Sequence, residues 1–267
     1  MRIVRFLNDD GKEQVGEPMK GELARVLQGN FEEGFKPTRF TSKVVKLLAP
    51  LVPADILCIG LNYREHAAES GSAVPTHPVL FIKPGNTLNH PGDPIPIPRR
   101  STQIDYEVEL AIVIGKPAKN VSRDRAMEHV FGYTCANDVS SRDWQRDKTL
   151  GGGQWARGKG FDGFCPLGPA IVTKDEIPNP NGLRLKTILN GATMQDHTTA
   201  DMIFDVPALI ESLSSTMTLR SGAVILTGTP QGVGFARTPP VWLKPGDRVV
   251  VEIENIGRLE NPVTAEG

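Results

Sequence analysis

The stretch Asp105-Tyr106-Glu107-Val108-Glu109-Leu110-Ala111-Ile112-Val113-Ile114-Gly115 sets carboxylates into an otherwise apolar run. At the two-residue period of a strand, Tyr106, Val108, Leu110, Ile112 and Ile114 share one face, and Glu107, Glu109, Ala111 and Val113 share the other. Like charges this close, on a face that continues apolar, repel and raise each other's pKa unless a cation lies between them. The alternative is a strand whose first half is solvated, with both glutamates facing water. Asp138 adds weight to the first reading, because it ends the apolar run Phe131 to Asn137 where a strand meets a helix. With no cysteine or paired histidine nearby, Glu107, Glu109 and Asp138 form an all-oxygen set, suited to Mg²⁺, Mn²⁺ or Ca²⁺ rather than Zn²⁺.

Other stretches carry further polar groups. On a helix starting at Val139, Arg142 and Gln145 point the same way as Asp138 and bring a cation and an amide beside a bound anion; an ordinary surface helix with Arg142 solvated fits the same spacing. His66 and Glu69 lie three apart on a short helix that Asn62 is expected to cap and Gly71 to close. That spacing lets the carboxylate hold the imidazole as a general base, although such pairs also occur on plain surface helices. The segment Gly151 to Gly163 has six glycines around Trp155, Arg157 and Lys159 but lacks the order of a phosphate-binding loop. It reads as a mobile cover with Lys159 reaching an anionic substrate. Gly228-Thr229-Pro230-Gln231-Gly232 follows an apolar strand and is either a plain tight turn or one whose Thr229 hydroxyl and backbone amides meet a carboxylate. No G-x-S-x-G motif occurs, and Cys135 has no basic neighbour in sequence, so a covalent nucleophile is not expected.

These residues need a scaffold of short strands. Glycine occurs 27 times and proline 22 times in 267 residues, above the ~12% of an average chain, which excludes a helical bundle. Apolar stretches bounded by Gly, Pro, Asn or Asp predict strands at Ile56 to Gly60, Val79 to Lys83, Tyr106 to Ile114, Phe131 to Asn137, Ala170 to Thr173, Leu183 to Leu189, Ala223 to Thr227 and Arg248 to Ile253. Asn190-Gly191 signals a hairpin. Helices are expected at residues 62–70, 123–129, 140–148 and 205–214, the last with Asp205 as cap and Pro207 in its first turn. The fold class is therefore mixed, β-rich α+β, with a small N-terminal β-rich domain over residues 1–50 and the main domain over residues 51–267.

Thirty Lys and Arg against 31 Asp and Glu give a net charge of −1, so no global field favours nucleic acid. No apolar run approaches the ~20 residues of a membrane span, and the first residues lack a signal peptide's pattern, so a cytoplasmic protein is expected. Cys58, Cys135 and Cys165 read as reduced core residues.

Taken in order, Asn62-Tyr-x-x-His66-x-x-Glu69, Tyr106-Glu107-x-Glu109-Leu110, Asn137-Asp138, Arg142-Asp-x-Gln145, Gly158-Lys159-x-Phe161-Asp162 and Leu226-Thr-Gly-Thr229-Pro230-x-Gly-Val-Gly234 resemble the fumarylacetoacetate hydrolase family over residues ~55 to ~255. The resemblance implies a main domain of folded, mixed β-sheets (a β-roll), often dimeric, with Mg²⁺ or Mn²⁺ held by Glu107, Glu109 and Asp138. It also implies a His66–Glu69 dyad and a substrate-binding Lys159. A 2-oxo acid offers a carboxylate and a keto oxygen to one divalent ion, which favours enolate chemistry at the neighbouring carbon. Lys159, Arg142, Gln145 and Thr229 would hold the anion, while His66 would activate water to cleave a 2,4-diketo acid such as an acylpyruvate. Oxaloacetate decarboxylation and isomerisation or hydration of unsaturated 2-oxo diacids are the alternatives within the family, and a metal-stabilised binding protein is the alternative outside catalysis.

Overall fold

The computed structural model describes residues 1–150 and 153–267. Its organising element is the strand Val108–Ile114, in which all seven residues are buried. The alternation read from the sequence holds. Val108, Leu110, Ile112 and Ile114 pack into one apolar cluster with Val206, Leu209, Ile210 and Leu213. Ala111 and Val113 pack on the other face with Ile3, Leu51, Cys58 and Leu167. At about 25 cal/mol per Å² of apolar surface, burial on both faces makes this register costly to shift by even one residue.

Val108–Ile114 pairs antiparallel with Val130–Asn137 on one side and with Val224–Leu226 on the other. Val224–Leu226 runs parallel to Ile56–Gly60, which pairs antiparallel with Val79–Lys83 at the sheet's end. In the opposite direction Val130–Asn137 pairs with Cys165–Thr173, and Cys165–Thr173 pairs with Arg2–Leu7 through Arg2 with Val172 and Ile3 with Ile171. The N-terminal strands Glu13–Pro18, Leu23–Asn30 and Gly34–Lys43 continue the same sheet. A second sheet runs Ala192–Thr198, Arg184–Leu189, Arg248–Ile253, Gly257–Ala265 and Ile95–Ile97. Both sheets are open, and the molecule is mostly β with few helices, as the turn-rich composition requires.

The hairpin at Asn190-Gly191 forms as read, with φ of 51° and 85° at its two turn residues. Four α-helices stand among the described residues: α1 (Arg64–Glu69), α2 (Arg142–Arg146), α3 (Trp155–Lys159) and α4 (Val206–Thr216). None is long and apolar enough to cross a membrane. The α4 cap is the one expected, since Asp205 accepts from the Ala208 N–H at 3.0 Å and Pro207 lies in the first turn. The segment at 123–129 is a 3₁₀ helix, and the helix expected over 140–148 shrinks to α2 because Ser140–Ser141 pair with Ile104–Asp105.

One expectation is corrected at α1. Its N-cap is Tyr63, whose side chain makes no cap bond, the first-turn Glu65 N–H goes to Asp201 Oδ2 at 3.0 Å, and Asn62 is fully buried and bonded elsewhere. The Asn62 side chain donates to the Phe204 and Thr227 carbonyls and accepts from the Phe204 N–H, tying three segments together. A buried amide serves those backbone groups, which have no water to turn to, better than it serves an exposed helix start. The three bonds also hold Leu61 in the left-handed region at φ 52°, a conformation that costs a non-glycine residue about 1 to 2 kcal/mol.

Candidate active site

The antiparallel ladder continues one step past Val108–Asn137: the Asp138 N–H donates to the Glu107 carbonyl at 2.9 Å, and the Glu107 N–H donates to Asn137 Oδ1 at 3.0 Å. Glu107, Glu109 and Asp138 therefore meet by register. One carboxylate oxygen from each lies within 4.8 Å of the others, and all three residues are buried.

Cations surround this cluster. Lys159 Nζ donates to Glu107 Oε2 at 2.7 Å and to Asp138 Oδ2 at 2.6 Å. Lys83 Nζ donates to Asp138 Oδ1 at 2.6 Å and to the Val139 carbonyl at 3.1 Å. The Arg142 guanidinium reaches Glu107 Oε1 at 2.5 Å, Asp105 Oδ2 at 2.8 Å and Gln145 Oε1 at 2.9 Å. Among the described residues Glu109 has no such partner, and it accepts the Gly228 N–H at 2.6 Å. The electrostatics follow from this division. Burial would push the Glu107 carboxyl up, but Lys159 and Arg142 hold it down at about 2. Burial, with Asp138 and Glu107 adding to it, drives the Glu109 carboxyl well above the usual carboxylate range. Burial opposes the charge on Lys159 and Arg142, yet their carboxylate partners leave both pKa values raised.

Asp105, Glu107, Glu109 and Asp138 face Lys83, Arg142 and Lys159, so full ionisation would leave four negative groups against three positive, and Glu109, the carboxyl without a cationic partner among the described residues, is the one whose charge burial and its acidic neighbours oppose. A divalent cation fits this donor set. It is all oxygen, buried and close enough to converge, and it contains a carboxyl whose ionisation lacks a counter-charge.

Across the same cavity His66 Nδ1 lies 3.1 Å from Glu69 Oε2, and Glu69 Oε1 accepts the Gly232 N–H at 2.8 Å. The loop after Val224–Leu226 thus serves both sides, with Gly228 N–H on Glu109 and Gly232 N–H on Glu69. Gly228, at φ +93°, is packed so closely that a Cβ there would come within 2.8 Å of Asn62. The Thr229 hydroxyl donates to the Val108 carbonyl at 3.0 Å and accepts from Gln195 Nε2 at 2.9 Å, so its bonding is internal although it lines the cavity.

The cavity holds about 370 Å³ and is lined by His66, Glu107, Glu109, Asp138, Arg142, Gln145, Arg146, Lys159, Thr229 and Phe235, among others. Every candidate residue from the sequence except Glu69 lines it, and Glu69 holds one that does. The glycine-rich segment is described from Gly153 onward, and Gly151 and Gly152 lie outside the described residues. There α3 buries Lys159 and packs at close range: a Cβ on Gly158 would meet Gln145 and Ser141 at 2.8 Å, and one on Gly60 would meet the Trp155 ring at 2.1 Å.

Five contributors were not found by sequence reasoning. Lys83 ends an apolar strand and looks like a surface terminus. Asp105 precedes the strand, and its carboxylate collects the Tyr106, Gly234 and Phe235 N–H groups as well as Arg142. Gln195 donates to Thr229 and the Pro230 carbonyl while accepting from the Val108 N–H and the Thr187 hydroxyl. Arg146 and Phe235 complete the group. A signal existed for Asp105, since a carboxylate next to an apolar strand is conspicuous; Gln195 gave none.

The family described as fumarylacetoacetate (FAA) hydrolase C-terminal matches residues 55–264. The chain belongs to that family. It is 50% identical over 220 residues to an oxaloacetate tautomerase of Xenopus laevis named as mitochondrial, covering 82% of this chain and 68% of that protein. Its fold superposes with a TM-score of 0.86 on a 5-carboxymethyl-2-hydroxymuconate delta-isomerase from Mycobacterium smegmatis, at 38% identity and with both chains covered fully. A fumarylacetoacetate hydrolase from Exiguobacterium antarcticum gives 0.83 at 36% identity, again with both chains covered fully. Relatives of this chain are thus named as hydrolase, isomerase and tautomerase.

Proposed function

We propose that the protein is a divalent-cation-dependent enzyme of enol–keto chemistry on short 2-oxo dicarboxylic acids, with the interconversion of enol and keto oxaloacetate as its reaction. One observation carries this reading: the histidine of a histidine–carboxylate pair and a three-carboxylate cluster line the same small cavity. Mg²⁺ or Mn²⁺ held by Glu107, Glu109 and Asp138 would act as a Lewis acid toward the adjacent carboxylate and keto oxygens of the substrate. The chain's own groups do the rest. Glu69, anchored by the Gly232 N–H, orients the His66 ring, and His66 takes the proton from, or returns it to, the carbon beside the keto group. Arg142 and Lys159 neutralise Glu107 and Asp138, so an anion can approach them. Trp155 and Phe81, packed edge to face with ring centres 5.6 Å apart, form an apolar wall. The names of the Xenopus and Mycobacterium relatives support proton transfer without net bond cleavage.

The second reading is hydrolysis of the C–C bond in 2,4-diketo acids, and the same dyad favours it: His66 would take the proton of a water attacking the distal carbonyl. Both are tested by following enol loss from oxaloacetate and pyruvate release from an acylpyruvate, with Mg²⁺ or Mn²⁺ and with EDTA. The expected result is cation-dependent acceleration of oxaloacetate tautomerisation exceeding acylpyruvate turnover. Rates equal to the uncatalysed ones for oxaloacetate would overturn the first reading, and rapid pyruvate release would install the second.

A further inference from the structure

Of the cationic groups lining the cavity, Arg142 and Lys159 are each bonded to two carboxylates of the protein. Arg146 also lines it, and among the described residues it makes no ion pair and no hydrogen bond to a carboxylate. It stands four residues after Arg142 on α2 and therefore on the same helix face. Its guanidinium carbon lies 4.6 Å from the centre of the Phe235 ring, as does that of Arg142, which puts the two arginine heads no more than about 9 Å apart. Phe235 is itself pinned, because its N–H and that of Gly234 donate to Asp105 at 3.1 and 2.7 Å. The His66 ring meets it edge-on at 6.1 Å. A fixed aromatic post thus holds Arg146 within reach of the cavity, with its donors left over for a ligand.

We infer that Arg146 is the specificity-determining residue of this site and binds the second, distal carboxylate of a 2-oxo dicarboxylic acid. This rests on the proposed enol–keto function. The carboxylate next to the keto group is taken up at the Glu107, Glu109 and Asp138 end. A second carboxylate finds the cations at that end, Lys83, Arg142 and Lys159, already bonded to carboxylates of the protein. Arg146 offers it a planar, permanently charged fork, and a bidentate pair of that kind favours carboxylate over a methyl group of similar size. A monocarboxylic 2-oxo acid leaves the guanidinium solvated and gains nothing from it.

Oxaloacetate and 2-oxobutyrate test this, since they share a four-carbon skeleton and differ only in the distal carboxylate. Exchange of the C3 protons in D₂O, read by proton NMR, reports enolisation of both acids. Calorimetry with Mg²⁺ present reports the affinity of each. In Arg146→Gln the wild-type preference for oxaloacetate over 2-oxobutyrate, in KM and in Kd, should shrink about tenfold with kcat for oxaloacetate nearly retained; Arg146→Lys should keep part of it. The thermal midpoint should stay at the wild-type value, because Arg146 is exposed. A variant that loses affinity for both acids equally, or that keeps the full preference, overturns the inference. If the wild-type protein accelerates exchange in neither acid, the enol–keto function falls, and the ratio of Kd values still decides Arg146 in either direction.

Discussion

Glu107, Glu109 and Asp138 are placed by adjacent antiparallel strands, one fully buried and the other buried except at half-buried Phe131, whereas His66 and Glu69 ride on a six-residue helix whose N-cap residue offers no side-chain bond. On the first side a displacement would break register, buried ion pairs and two apolar clusters together. On the second, the dyad's position depends on one short helix tied down by Asn62, by Arg64 donating to the Asp201 and Met202 carbonyls, by Asp201 accepting the Glu65 N–H, and by the Gly232 N–H on Glu69. The carboxylate side is thus over-determined and must hold like charges close together, at the expense of stability. The histidine side is held by side-chain and loop hydrogen bonds rather than by the register of two buried strands. Rigid placement falls to the groups that would otherwise repel each other, and the Gly228–Gly232 loop transmits it to the others.

Three substitutions break or sharpen this contrast. The largest effect is expected from Lys83→Met, which leaves a fully buried Asp138 oxygen without its ammonium partner. Removal of one partner of a buried pair costs about 3 to 5 kcal/mol, so urea unfolding should show a loss of that order; a midpoint equal to wild type would mean the carboxylate side is less constrained than its register suggests. His66→Ala should instead leave unfolding nearly unchanged while lowering kcat for oxaloacetate tautomerisation about 10²- to 10⁴-fold, with divalent-cation affinity kept. Loss of cation affinity in that variant would show the two sides to be one unit. Gln195→Leu acts between them. It strips partners from the buried Val108 N–H and Thr187 hydroxyl and releases Thr229, at about 1 to 3 kcal/mol. A several-fold loss in both cation affinity and kcat is expected, measured by calorimetry and by enol decay, because Gly228 and Gly232 shift together. An effect on one alone would uncouple the loop's two contacts.

Much of this was legible in advance because it depends on local rules. The alternation around Glu107 and Glu109, the Asn190-Gly191 turn, the Asp205 cap and the His66–Glu69 spacing each concern residues within a few positions of one another, where backbone period and sterics decide. The ordered run of motifs likewise pointed to the family. The Asn62 cap was misread for a physical reason: capping is worth about 1 kcal/mol, and three bonds to buried backbone groups from distant segments outweigh it. The extent of α2 was overestimated because Ser140–Ser141 had strand partners at Ile104–Asp105 that no local signal reveals.

What the sequence by itself determined is the strand-rich character, the faces of the central strand and the residue types available for chemistry. Tertiary structure alone decided that Asp138 lies opposite Glu107, that Lys83 and Lys159 clamp it from two other elements, and that Gln195 ties the site strand to the Thr229 loop. It also decided that Arg142 and Lys159 pair with protein carboxylates while Arg146, among the described residues, pairs with none. These are pairings between residues tens of positions or more apart in most cases, set by sheet order and register. A charged side chain carries no mark in the sequence of which distant partner will neutralise it, because that choice is made by the burial energy of the strands that bring the two together.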